Sequence, residues 1–225
     1  MANVTVSGNL YCSDGTIIPL QKTMTEGTEA DLTTNTSRTV SAMNIGDYAP
    51  GKTVTAGYVL GANGMSYAFV LRQGSIVGLI PPGVKGVMNK SPIDLPVAVT
   101  LQPGDVVRAM TSTASSRLAS IYAVAGTDQR IFTVTPSGGA TNEPVDLQTS
   151  NGLGDTLNGK VITKILTTSI DGNKIDGGGV VALNETGQVV GCNPASNPTS
   201  VQPRFTNVNI PVALNDVWNL VTSSW

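Results

Sequence analysis

The sequence predicts an all-β protein: two tandem, internally duplicated β-sandwich units of jelly-roll-like kind. Three observations predict it. Short runs rich in Val, Ile and Thr recur at roughly ten-residue spacing, with Gly, Pro, Asn and Asp between them, which is the pattern of a sandwich or barrel. No segment sustains the 3.6-residue periodicity of an amphipathic helix. One stretch occurs twice, as IGDYAPGKTVTAGYVLGANG from Ile45 to Gly64 and as LGDTLNGKVITKILTTSIDG from Leu153 to Gly172.

The duplication extends past that stretch. Gly46-Asp47 and Gly51-Lys52 recur as Gly154-Asp155 and Gly159-Lys160, 108 residues later. Gly74 and Gly78 correspond to Gly187 and Gly191, now 113 residues apart. Leu95-Pro96-Val97-Ala98 is matched with Ile210-Pro211-Val212-Ala213, and Asp105-Val106-Val107 with Asp216-Val217-Trp218. The drifting offset implies small insertions in loops. The expected units are residues 1–113 and 114–225, with a boundary in the small polar run Thr113–Ser116.

In chain order, Asn3–Cys12 alternates and reads as a strand, and Ser13-Asp14-Gly15 as a turn. Thr16–Leu20 reads as a second strand, at a sheet edge because Pro19 has no N–H to donate. Residues 21–44 lack aliphatic periodicity and read as loop, with room for a short helix at Glu29–Leu32; the acidic cluster Glu26–Asp31 reads as solvated surface. Strands follow at Thr53–Leu60, Tyr67–Arg72, Ser75–Ile80, Leu95–Leu101 and Asp105–Thr111. Gln73-Gly74 and Pro103-Gly104 mark turns between them. Arg117–Val124 is a strand that could close unit one or open unit two. Unit two repeats the series, with turns at Ser137–Gly139, Asp171-Gly172 and Gly177–Gly179.

Composition narrows the function. The 225 residues are 40% hydrophobic, 4% aromatic and only 12% charged, with net charge −2 and no histidine. About a quarter of residues are charged in an average soluble protein, so this surface must be largely Ser, Thr, Asn and Gln. No Lys/Arg stripe exists to neutralise phosphates, so direct nucleic-acid contact is not expected. No apolar run approaches the roughly 18–20 residues of a membrane helix. MANVTVSGNLYC lacks a basic region followed by an apolar one, so no ordinary signal peptide is expected and the sequons at Asn3, Asn35, Asn89 and Asn184 carry no weight. Cys12 and Cys192 are not equivalent positions; they read as small buried hydrophobes, with a disulfide left open.

Several motifs suggest chemistry and fail on context. Gly46–Thr53 satisfies G-x-x-x-x-G-K-[ST], a phosphate loop, which requires a helix after the lysine. Here β-branched Thr53-Val54-Thr55 follows, and the second copy has Val161 in place of the hydroxyl, so the motif reads as a structural turn. Histidine-dependent nucleophilic triads are excluded. A carboxylate pair could be drawn from Glu26, Glu29, Asp31, Asp146, Asp155, Asp171, Asp176 and Glu185, but most sit beside turn residues, where Asp serves local hydrogen bonds. Asp171–Gly177 resembles a calcium loop but has Ile175 and Ala182 where oxygen ligands are needed. Zinc lacks ligands. No catalytic residue, metal or cofactor is therefore assigned. Few aromatics are available as sugar platforms; Trp218 aligns with Val107 and reads as core, leaving Trp225 as an aromatic that could dock on a neighbour.

One passage carries a resemblance. Thr100–Thr113, TLQPGDVVRAMTST, continuing to Leu118-Ala119-Ser120-Ile121-Tyr122, resembles a pattern in virion structural proteins of tailed bacteriophages, in which a Pro-Gly-Asp turn leads into a strand, a small-residue loop and another strand. It covers about a tenth of the chain, and Ala213–Asp216 in the second copy lacks the Pro-Gly turn. The resemblance implies a non-enzymatic capsid decoration or cement protein. The expectation is an outer-capsid component made in the host cytoplasm, bridging neighbouring major capsid subunits and associating with its own copies, as a homotrimer. The expected interaction residues are Trp225 together with Val4, Val6, Leu118 and Ile121, on strands expected to lie at sheet edges and to pair between units or chains. The alternatives are a carbohydrate-binding or adhesive module of a fibre or cell surface, and a jelly-roll major capsid protein.

Overall fold

The computed structural model describes residues 2–34, 42–61, 65–82, 92–111, 118–134, 144–146, 153–170, 178–193 and 204–222. The chain divides into Met1–Ser115 and Ser116–Trp225. Unit one contains β1 (Asn3–Cys12), β2 (Ile17–Thr25), β3 (Glu29–Leu32), α1 (Ile45–Tyr48), β4 (Thr53–Gly61), β5 (Met65–Arg72), β6 (Ser75–Ile80), β7 (Ile93–Thr100) and β8 (Val106–Thr111). Unit two contains β9 (Leu118–Ala125), β10 (Asp128–Val134), β11 (Pro144–Asp146), α2 (Leu153–Leu157), β12 (Val161–Ile170), β13 (Gly178–Leu183), β14 (Val189–Asn193), β15 (Thr206–Pro211) and β16 (Val217–Thr222). The protein is all-β, with antiparallel strand pairing throughout its sheets.

Each unit is a pair of four-stranded sheets. Unit one has the orders β2-β1-β4-β7 and β3-β8-β5-β6; unit two has β10-β9-β12-β15 and β11-β16-β13-β14, the same order strand for strand. The pairing is nested. The β5–β6 hairpin is innermost, β4 pairs with β7 around it, and β3 pairs with β8 around that. This is the wrapping of a jelly roll, with one change. The place beside β2 that the strand after β8 would fill is taken by β1. The strand that does follow β8, β9, takes the corresponding place in unit two. The strand predicted at Arg117–Val124, open between the units from sequence, is β9, Leu118–Ala125, and its pairing lies in unit two.

Alternation decides what is buried. In β1, Val4, Val6, Leu10 and Cys12 face the first core, with Ile18 and Leu20 from β2, Val99 from β7 and Val107 from β8. In unit two, Ile121 and Ala123 from β9 meet Ile162, Ile165, Ile210 and Trp218. Complete burial of an aliphatic side chain stabilises by roughly 1.5–3 kcal/mol, so these rows fix the register. Trp218 is core, as its alignment with Val107 predicted, and lies 6.5 Å from the Phe132 ring.

Three expectations are corrected. β1 and β9 are interior strands, not edges, so their backbone groups are already paired; Val4, Val6 and Ile121 point into the cores and cannot meet a partner. Leu118 starts β9, while Trp225 lies outside the described residues. Glu29–Leu32 is the strand β3 rather than helix or loop: Leu32 is fully buried, and Glu29 and Asp31 alternate onto the outer face against β8. The matching of residues 95–98 with 210–213 is also displaced. Hydrogen bonding makes Leu101 equivalent to Val212, each accepting the N–H of the repeated glycine, Gly51 or Gly159. Pro19 is on an edge strand, as expected.

Candidate functional site

The repeated motif is a plug at one end of each barrel. In unit one, that end gathers the β1–β2, β5–β6 and β7–β8 turns around α1: Ser13 N–H donates to Thr53 O, and Gly46 N–H to Asp105 O. Ile45, at the start of α1, is buried in the core, as is Leu153 in α2. Gly46 is needed because the β7–β8 turn lies against it: a Cβ there would stand 2.0 Å from Gln102 O, and one at Gly154 2.6 Å from Ala213 O. The Asp47 carboxylate accepts the N–H of Gly104 at 2.9 Å. Gly51 and Gly159 adopt φ of 79° and 75°, the left-handed region in which a side chain is strained.

The lysine of the motif is a clasp. Lys52 donates to the Asp14 carboxylate in the β1–β2 turn, and Lys160 to Asp128 at the start of β10. Both pairs are exposed. The Lys52 ammonium, with the Thr16 N–H behind it, holds the Asp14 carboxyl well below the usual carboxylate range. Helix α1 precedes the Gly-Lys pair and strand β4 follows it. The nearest helix therefore aims no N-terminus at the loop, and the lysine is engaged: the geometry is that of a turn, as the sequence context predicted.

The repeated aspartates hold the adjoining turn in two ways. Asp105 is fully buried, accepts the Gln102 N–H at 2.9 Å, and takes Arg72 in a two-pronged pair at 2.8 and 2.7 Å. Arg72 also donates to Thr100 O at 2.8 Å. Asp216 is 3% exposed and accepts the Ala213 N–H at 2.7 Å, but its Oδ1 has no hydrogen-bond partner. Strand register puts Asn184 in the place of Arg72. Asn184 instead builds its own turn, accepting the N–H groups of Thr186 and Gln188.

The acidic cluster is not simply solvated. Tyr67 donates its hydroxyl to Glu29, Arg108 pairs with Asp31 at 2.8 and 3.2 Å, and Glu26 is buried. Burial, and then the Glu29 carboxylate, push the Tyr67 phenol well above its ordinary value. A buried phenol and a guanidinium brace two carboxylates across β3, β5 and β8. Cys12 and Cys192 are both free thiols; Cys12 is buried, which pushes its pKa up, whereas Cys192 is exposed on β14 and departs from the expected burial. Glu185 is exposed in the β13–β14 turn. Asp146 ends β11 and Asp155 lies within α2, while Asp171, Asp176 and the calcium-like loop lie outside the described residues.

Among the described residues, no group of three or more His, Cys, Asp or Glu side chains could hold a metal ion, and no helix is long and apolar enough to cross a membrane. No protein-family model, curated protein or solved structure matches the chain.

Proposed function

We propose that this protein is a non-enzymatic structural component of a virus particle, a capsid cement that bridges neighbouring major capsid subunits on the outer surface and associates with its own copies as a trimer. The observation that supports this best is how the chain uses its few charges. Asp14 with Lys52, Asp31 with Arg108, Asp105 with Arg72 and Asp128 with Lys160 are each engaged within one unit. Part of the outer face of the β2-β1-β4-β7 sheet is a run of hydroxyls and amides: Thr5 with Thr23, Thr53 with Thr100, and Ser7 and Gln21. Neutral groups of this kind make contacts without the cost of stripping water from charges. Repeated over many copies, weak contacts give high avidity because each added one becomes intramolecular.

The Pro103-Gly104-Asp105 turn that carries the phage resemblance is the turn packed on α1. The matching strand orders support a tandem duplication as the origin of the two units, giving one molecule two similar scaffolds with which to reach two neighbours. The experiment compares particles with and without the protein. Shells lacking it are expected to assemble but to rupture at lower temperature. Shells that fail to form would make it the major capsid protein, and intact shells that lose only host attachment would make it an adhesin.

A further inference from the structure

We propose that the outer face of the β2-β1-β4-β7 sheet carries a binding site for an uncharged glycan, centred on Tyr11. Two adjacent rows of the sheet build it. Strand pairing sets Ile17, Tyr11, Ala56 and Asp94 side by side across β2, β1, β4 and β7. The next row pairs Asn9 with Tyr58. These side chains face away from the core, because their neighbours Leu10, Cys12, Ile18 and Leu95 are the ones that enter it.

The patch combines the two chemistries that sugar recognition needs. Its floor is apolar. Tyr11, half-buried, and Ile17, directly opposite it and 52% exposed, supply its surface, while Tyr58, 9% exposed, lies beneath with its ring centroid 6.5 Å from that of Tyr11 and its plane at 36°. Such a floor suits the C–H face of a pyranose, as aromatic rings with a polar rim do generally. The rim is polar and directional. Asn9 Nδ2 donates to the Tyr58 hydroxyl at 3.1 Å, which fixes the amide and leaves its carbonyl oxygen and second N–H for a ligand. Exposed Asp94, across Ala56 from Tyr11, offers two acceptor oxygens for sugar hydroxyls.

Charge selects the ligand class. Asp94 is the one charged side chain in these rows, so the site disfavours phosphorylated, sulfated or sialylated chains and fits neutral ones. The site is not duplicated. In unit two, register places Val124 and Tyr122 where Tyr11 and Asn9 stand, and they are 3% and 0% exposed.

The test is titration calorimetry of the full chain with cellohexaose, maltohexaose and chitohexaose. At least one is expected to bind. Tyr11→Ala and Asn9→Ala should each weaken it at least about tenfold, Tyr11→Phe should retain it, and Glu185→Gln, in unit two, should leave it unchanged. Circular dichroism checks folding, and Ile17→Ser supplies a second surface variant if Tyr11→Ala fails to fold. Absence of binding by all three sugars at millimolar concentration overturns the proposal, as does affinity unchanged in both Asn9→Ala and Ile17→Ser. Self-association abolished by Ile17→Ser, without sugar binding, would make the patch a contact between copies instead. None of these outcomes depends on the particle assay, so this proposal and the cement reading stand or fall separately.

Discussion

Asp105 and Asp216 occupy equivalent turns with different partners, and the difference predicts different mutational costs. Asp105→Asn leaves the Arg72 guanidinium without its carboxylate. Breaking a buried pair costs roughly 3–5 kcal/mol; the Arg72 side chain is 25% exposed, so the low end, about 3 kcal/mol, is expected. Asp216→Asn retains an oxygen for the Ala213 N–H and abandons no cation, so about 1 kcal/mol is expected, the scale of one altered hydrogen bond. Urea denaturation of the two variants measures both, and equal losses would show that Arg72 contributes nothing. The exposed clasp is weaker and depends on pH. The folded-state pKa of Asp14 is depressed, so its stabilisation is present above the unfolded value of about 3.9 and is lost as pH falls through the depressed one. The urea midpoint of wild type should therefore exceed that of Asp14→Asn slightly at neutral pH. The gap should close in strong acid and shrink in molar salt, because the pair is exposed. Lys52→Ala should likewise lower the midpoint slightly, and calorimetry should detect no ATP or GTP binding in either protein.

At the level of elements, the plug formed by α1 and the β7–β8 turn gives the sharpest expectation. Gly46→Ala forces a methyl group onto backbone, where no side chain can rotate away. A loss of about 3 kcal/mol, the top of the overpacking range, is expected. Gly51→Ala meets no atom within 4 Å and carries only the left-handed strain, roughly 1–2 kcal/mol. Thermal denaturation should rank Gly46→Ala below Gly51→Ala; the reverse order would mean the turn can move off α1. These two glycines also mark what was legible in the sequence. Their recurrence announced the motif, and β-branched residues after Lys52 announced β4. The reason for Gly46 was hidden, because the atom it must avoid belongs to Gln102, more than fifty residues away. β3 was missed for a related cause. Its four residues, Glu-Ala-Asp-Leu, have low strand propensity alone and become a strand because β8 supplies hydrogen bonds, Arg108 supplies a cation for Asp31, and Tyr67 supplies a donor for Glu29. The Tyr11 patch was invisible because pairing of β1 with both β2 and β4 is what assembles it.

For the whole molecule, the consequential feature is which strand closes which barrel. The order of the nested hairpins leaves a place between β2 and β4, and the chain fills it from β1 rather than from the strand that follows β8. Unit one is then complete before residue 116, and unit two requires β9. This predicts an asymmetric response to truncation. Residues 116–225 retain every described strand of unit two and should give a cooperative urea transition. Residues 126–225 differ by the loss of β9, which removes Ile121 and Ala123 from the core and unpairs the facing edges of β10 and β12. That fragment should show no cooperative transition and should aggregate through the exposed edges. For unit one, residues 1–115 should fold, and extension to residue 125 should leave the urea midpoint unchanged, since the place β9 would take is occupied. A fragment 13–125 makes the reciprocal test: it lacks β1 but carries β9, joined to β8 as in an uninterrupted jelly roll. Folding of this fragment, with a cooperative transition near that of 1–115, would mean that the place between β2 and β4 accepts either strand. Failure to fold is the expected result, because the β1 row of Val4, Val6, Leu10 and Cys12 is what fills the first core, and Ala123 and Ala125, which face the core from β9, are too small to replace it.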